Sequence, residues 1–460
     1  MIGKMKMVGR LFLPLILLLI LVLSCNMPGR EEEATETPRS TEEEATLESP
    51  NIPPTQVEML EDVEENASEN VQIPEVDLGE DTETSYNPCA PFPPPAGPTV
   101  VVASESDLRD QANLAEPGTS ILIEPGVYDL QDTIRIVNEG ITLRSSSGIR
   151  EDVILDGGGM LSGLTEVISI EADEVTIADL SIRNGGEHGI SVQGSDRPTL
   201  YNLHILDTGY QLVKVNPIGD GSEDGTLACS RLEYTVSSPE EYTNGISAHN
   251  AQRWIIRDNQ WYRIRTPGNT PAPTILFWSG SSDTIVERNL LVDCYQGIAF
   301  GNSSGEVGDH IGGIVRNNFI YASLPHDSVI EMVHATGWLV AHNTILLLNP
   351  NSLDWGLEAR FDDTTGTFAN NLSNMRIWYD RDGATATIEG NMEDLLMDWL
   401  RDPTAADLHL IDGTVPPVDA GVQLSEVSSD FDGNPRPIGD APDVGADEFT
   451  QFEIYIPILE

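Results

Sequence analysis

Six side chains in the middle of this sequence are of types that could do chemistry together: Lys214, His249, Trp278, Glu331, Glu358 and Arg360. Five of the seven short strand-like runs HGISVQG, QLVKVN, NGISAHN, TILFWSG, GIAFGNS, SVIEMVHA and GLEARFD carry them. Alternation along a strand turns Val213/Val215, Ile246/Ala248, Ile275/Phe277, Ile298/Phe300, Ile330/Met332 and Leu357/Ala359 inward. The residues between them then form an outward column: Ser191, Lys214, Ser247, Leu276, Ala299, Glu331 and Glu358. Beside it runs a second column: Gln193, Asn216, His249, Trp278, Gly301, Val333 and Arg360. A face so equipped is not a generic solvated surface.

Two kinds of sugar chemistry fit these residues. β-Elimination from a uronate requires a base for the C5 proton and a cation to neutralise the carboxylate. Lys214 or His249 is the candidate base. Arg360, or a calcium ion held by Asp220, Glu223 and Asp224, is the candidate neutraliser. Trp278 would supply a stacking platform, with Asn216 and Gln193 as polar contacts to the substrate. Lys214 is the only lysine after Lys6, so ordinary surface solvation explains it poorly; an ion pair with Asp220 or Asp224 is the alternative. Glycoside hydrolysis needs two carboxyls instead. Glu331 and Glu358 should lie on adjacent strands roughly 4.8 Å apart, near the about 5–5.5 Å of retaining enzymes. The alternative for this pair is an ion cluster with Arg360.

The element that must position these residues is a repeat. Asn259, Asn289, Asn318, Asn343 and Asn371 each follow a short apolar run, at intervals of 25 to 30 residues. Such self-similarity marks a solenoid, and β-branched alternating runs make it one of parallel strands rather than helices. The asparagines should stack inside one turn. Residues 218–243 and 265–274 read as insertions, which on a rigid solenoid tend to form binding walls.

Asp plus Glu number 75 against 24 Lys plus Arg, a formal charge of -51. That balance excludes nucleic acid and anionic lipid headgroups as electrostatic partners, and it requires a local basic patch or divalent ions for an anionic glycan. Lys4, Lys6 and Arg10 precede an apolar stretch from Leu11 to Leu23 that ends in VLSC, the pattern of an export signal. Its end resembles a bacterial lipobox, which implies a signal over residues 1–24 and lipidation of Cys25. Residues 25–98 read as an acidic disordered tether, 99–391 as the solenoid and 392–460 as a C-terminal cap and tail. Cys89 and Cys229 lie in loop-like sequence and could pair, leaving Cys294 as a buried thiol.

The opening phrase, TVVVASESDLRDQANLAEPGTSILIEPGVYDL, reads as strand, short helix over 106–115, then strand. It resembles the N-terminal cap of the right-handed parallel β-helix proteins of the pectate-lyase-like group, and DFDGNPRPIGDAPDVGADEF resembles a C-terminal element of exported β-helix proteins. The resemblance spans 99–449 and implies an all-β fold, a right-handed parallel β-helix with an N-terminal helix cap and a C-terminal capping tail. It does not supply the chemistry, because the paired aspartates of polygalacturonases and the W-x-D-H of pectate lyases are absent. MEDLLMDWLRD reads as an amphipathic helix. Asp430, Asp432 and Asn434 have the spacing of the first ligands of a calcium loop but read better as a capping turn. The expectation is an exported, membrane-tethered monomer that binds and cleaves extracellular polysaccharide, as lyase or hydrolase. The competing readings are a non-catalytic glycan-binding module or adhesin, and a structural spacer in the envelope.

Overall fold

The computed structural model describes residues 89–450 apart from 162, 271 and 351–354. The expected signal, the lipidated Cys25 and most of the tether lie outside the described residues. Alternating apolar runs here have one way to bury their inner faces, which is to wind round a common core. Among the described residues the strands form three parallel sheets of 10, 16 and 10 strands and one antiparallel pair. One coil shows the pattern. Asn244–His249 lies in the first sheet, Ile255–Arg257 in the second and Gln260–Tyr262 in the third. Pro273–Trp278 then returns to the first sheet, paired in parallel with Asn244–His249. The chain is a right-handed parallel β-helix.

Its core is a stack of like residues. Ile190, Val213, Ile246, Ile275, Ile298, Ile330, Leu357 and Ile377 are successive partners along the first sheet. All of them are buried. The N-terminal end is covered by the helix Glu105–Leu114, where the Ser104 side chain accepts from the Asp107 amide and Leu108 and Ala112 face the core. This cover removes the apolar end and open strand edges that an uncapped solenoid would expose.

The bend between the second and third sheets holds the asparagines. Asp258, Arg288, Asn317, His342 and Asn370 take positive φ there, and the next residue in each coil is a ladder asparagine. Asn259 Nδ2 donates to Asn289 Oδ1 at 3.1 Å, Asn289 to Asn318 at 3.0 Å, and Asn318 to Asn343 at 2.9 Å. Asn343, Asn371 and Asn391 continue the series. Each Oδ1 also accepts the backbone amide of the preceding ladder residue, as Asn318 does from Asn289 at 2.9 Å.

Two expectations need correction. Residues 218–243 are not one insertion, for they contain the second-sheet strands of a coil at Ser222–Glu223 and Thr226–Ala228 and its third-sheet strand at Arg231–Glu233. Ser230 holds the ladder position in that coil, its amide donating to Asn259 Oδ1 at 2.9 Å; serine in place of asparagine hid the repeat. The run 392–402 is not an amphipathic α-helix but a single 3-10 turn at Met397–Trp399 and a strand at Leu400–Asp402. Leu395 and Leu400 are buried with Phe319, Tyr321 and Leu346, and residues five apart do not share a helical face. Pro403 would also end a helix at this point.

The N-terminal segment is strapped along the second sheet. Cys89 is disulfide-bonded to Cys229, Tyr201 donates to the Ala90 carbonyl at 2.5 Å, and Arg144 donates to the Pro93 carbonyl at 2.6 Å. Cys294 is a buried free thiol. In the tail, Asp430 accepts from the Asn434 amide at 2.7 Å and from its side chain at 3.1 Å, which staples a turn.

Removing one rung tests the ladder. Asn318→Ala strands the buried Asn289 backbone amide and removes the donor to the Val286 carbonyl, while the Asn289 side chain keeps the Ile256 and Glu287 carbonyls. Each buried orphan is worth about 1–3 kcal/mol, so the urea midpoint should fall by the equivalent of about 3 kcal/mol. An unchanged midpoint would show that the stack is dispensable.

Candidate functional site

The register of the first sheet stacks the outward residues as the alternation requires. Ser191, Lys214, Ser247, Leu276, Ala299, Glu331 and Glu358 are successive partners. So are Gln193 with Asn216, His249 with Trp278, and Val333 with Arg360. The column does not form one site. Four strand steps separate Lys214 from Glu331, roughly 19 Å at about 4.8 Å per step. Between them Leu276 and Ala299 point outward yet are buried, in one apolar patch with Trp278. The expected convergence therefore resolves into two clusters.

The first centres on Lys214. Its Nζ lies 2.7 Å from His249 Nε2 and 3.4 Å from Ser247 Oγ. No carboxylate pairs with it among the described residues, and in particular Asp220 and Asp224 do not. A cation buried without a counter-ion favours its neutral form, and burial pulls this ammonium down to about 8. Burial and the nearby lysine hold the imidazoles of His249 and His188 down at about 3, so both are neutral at pH 7. Because Lys214 donates to Nε2, the His249 proton resides on Nδ1. The Trp278 ring stands 4.4 Å from that of His249, and its buried Nε1 has no hydrogen-bond partner among the described residues. Asn216 donates to Ser191 Oγ and Gln193 Oε1 at 3.2 Å each, and Gln193 donates to Ser191 at 2.8 Å. Tyr242, which ends the loop 235–243, brings its hydroxyl 3.3 Å from Ser247 Oγ.

The second cluster is an ion network. Glu331 accepts from Arg360 at 3.2 Å and Gln296 at 2.8 Å. Glu358, 1 % exposed, accepts from Ser328 at 2.7 Å and from Arg381. Arg360 also donates to Asp382 at 3.1 Å. Burial and the charge of Glu358 push Glu331 up to about 7 and Asp327 up to about 6. Arg381 lies 3.8 Å above the ring of Trp355. Glu331 and Glu358 are adjacent, but both oxygens of Glu358 are taken and the side chain cannot reach a sugar without breaking the Arg381 pair. Arg360, five steps from Lys214, is too far to neutralise a carboxylate bound there.

The acidic residues read as a calcium holder are engaged elsewhere. Arg253 takes the place of a cation between Glu223 and Asp224, with Nε 2.7 Å from Asp224 Oδ1. Asp220 accepts from Asn250 through its backbone carbonyl. Among the described residues one group, His409, Asp432 and Asp447, has ligand atoms within 4.8 Å of one another. It lies in the C-terminal part, against Phe319 of the third sheet. His409 there contacts Asp407 at 2.5 Å and Asp432 at 3.0 Å, and these carboxylates raise it to about 10.

Reasoning from sequence missed Tyr242 and Arg381, and it noticed His188 at a strand edge and Asp327 in a loop without giving either a role. Tyr242 was signalled by its place in a loop beside the column; Arg381 carried no repeat signal.

The burial of Lys214 has a measurable sign. Its folded pKa lies below the unfolded value of 10.5, so the cost of the buried ammonium is fully present below pH 8 and fades between 8 and 10.5, where only the unfolded chain holds the proton. Lys214→Met should therefore raise stability at pH 7 by about 2–3 kcal/mol, with the gain disappearing toward pH 10.5. Equal stabilities at pH 7 would show a solvated ammonium.

No protein-family model matches the chain, and no curated protein matches it. Solved structures do. Pectate lyase Pel9A has a TM-score of 0.52 at 14% identity, over 74% of this chain and 90% of that one. An alginate lyase from Paenibacillus sp. str. FPU-7 has 0.40 at 17%, over 57% and 99%. The GH136 lacto-N-biosidase from Eubacterium ramulus has 0.43 at 13%, over 65% and 68%. At these identities what this chain shares with Pel9A is the fold, a right-handed parallel β-helix.

Proposed function

We propose that this chain binds an extracellular polysaccharide along the outward face of the first sheet and cleaves it by β-elimination at a uronate, with Lys214 as the base. The observation that carries the reading is the half-buried Lys214 ammonium, held against His249 with no carboxylate partner among the described residues. A lysine so placed gives up its proton near pH 8, well below the usual lysine range, and then has a lone pair for a carbon acid. The Nδ1–H of His249 is a neutral donor for the sugar carboxylate, in place of the distant Arg360. Trp278 is buried and backs the His249 ring, and Asn216 and Gln193 present polar edges on the same face. The hydrolase alternative draws less support, because Glu358 is locked by Ser328 and Arg381. Pel9A, which shares the fold, is by name a pectate lyase. The sequence adds export, with a lipid on Cys25 holding a monomer at the cell envelope.

The test is a panel of 1,4-linked polyuronates, with and without calcium, followed by the ultraviolet absorbance of the unsaturated end that elimination alone creates. The rate should rise about tenfold per pH unit up to about 8 and then level. Lys214→Ala and Lys214→Arg should each lose about 10²–10⁴-fold with an unchanged circular dichroism spectrum. Retention of the glycan without turnover would assign the face to binding alone.

A further inference from the structure

We propose that Tyr242 is the acid of this reaction, and that Lys214, Ser247 and Tyr242 form a closed proton circuit on one side of the sugar. The proposal rests on the elimination reading above. Its geometry is a continuous chain: Lys214 Nζ lies 3.4 Å from Ser247 Oγ, which lies 3.3 Å from the Tyr242 hydroxyl. The tyrosine is held from behind as well, since Gln211 donates to its backbone carbonyl at 3.0 Å. Its loop is tied by Thr243 to Glu240 and Ser238, and by Ser238 to the Gly209 carbonyl.

A sugar alkoxide is a poor leaving group, so elimination needs an acid at O4 as well as a base at C5. The neutral amine of Lys214 takes the C5 proton, and the C–H electron pair becomes the C4–C5 double bond. The C4–O4 bond breaks, and O4 takes the phenolic proton of Tyr242. Ser247 returns a proton to the tyrosinate and receives one from the Lys214 ammonium. The circuit closes with no co-reactant. Burial holds the phenol at about 12, so the acid stays protonated where the base is free, the separation an acid–base pair requires.

A consequence for the substrate follows. Lys214 and Ser247 point out from the same sheet face, and Tyr242 contacts Ser247 on that face. Proton removal and proton delivery therefore occur on one side of the ring. That geometry fits uronates whose C5 hydrogen and C4 oxygen lie on the same face, the gluco and manno configurations. The galacto and gulo configurations place them on opposite faces.

The experiment compares wild type and Tyr242→Phe on 1,4-linked glucuronan, polymannuronate, polygalacturonate and polyguluronate. It also includes a uronide carrying an acidic phenol at O4, which leaves without protonation. Wild type should favour the first two polymers. Tyr242→Phe, with unchanged melting temperature, should lose a hundredfold or more on them yet stay within a few-fold of wild type on the aryl substrate. Full activity of Tyr242→Phe on polymers, or equal losses on polymer and aryl substrate, would overturn the acid role. Preference for galacto or gulo polymers would overturn the one-sided geometry. Absence of unsaturated product from wild type on every substrate would instead remove the elimination reading itself.

Discussion

Everything in this molecule depends on the parallel register between successive coils. Backbone pairing sets the spacing, and the asparagine ladder ties each bend to the next through one side-chain amide and one backbone amide per coil. Inside the helix such bonds are strong because no water competes, and each would leave costly orphans if broken. A residue's neighbours on the surface are thus fixed by its position in the repeat. Side chains one coil apart are about a strand spacing from each other whatever their separation in sequence.

That constraint explains why one column holds two unlike clusters. At one end the carboxylates Glu331 and Glu358 meet Arg360 and Arg381, and the opposite charges satisfy one another. Breaking such a pair costs about 3–5 kcal/mol, so these carboxylates are tied to structure. At the other end Lys214 meets the neutral His249 and Ser247, with no carboxylate partner among the described residues. Its burial is not offset by a partner, and uncompensated burial of this kind is what tunes catalytic bases. The buried Leu276 and Ala299 separate the two.

Much of this arrangement was legible in the residues themselves. The alternation of Ile, Val and Phe in six runs determined which side chains face outward, and the register agrees with it from Ser191 to Glu358. The apolar spacing could not reveal how far apart the chemical residues would lie along the axis, because residues in different coils were read as one face. Ser230 concealed a coil, since its hydroxyl can hold a ladder position without looking like asparagine. Arg253 occupied the acidic group read as a calcium holder, a pairing of residues about 30 apart that only the coil makes local. Tyr242 belongs to a loop, and loops carry no repeat from which a partner can be inferred.

The claim on which the function rests is that Lys214 loses its proton far below the usual lysine range. Selective ¹⁵N labelling of lysine makes this directly visible, because Lys214 is the only lysine after Lys6, and an ordinary lysine titrates near 10.4. The account predicts one Nζ resonance that titrates near 8 and is absent from Lys214→Met. A Lys214 resonance titrating near 10.4 would contradict it.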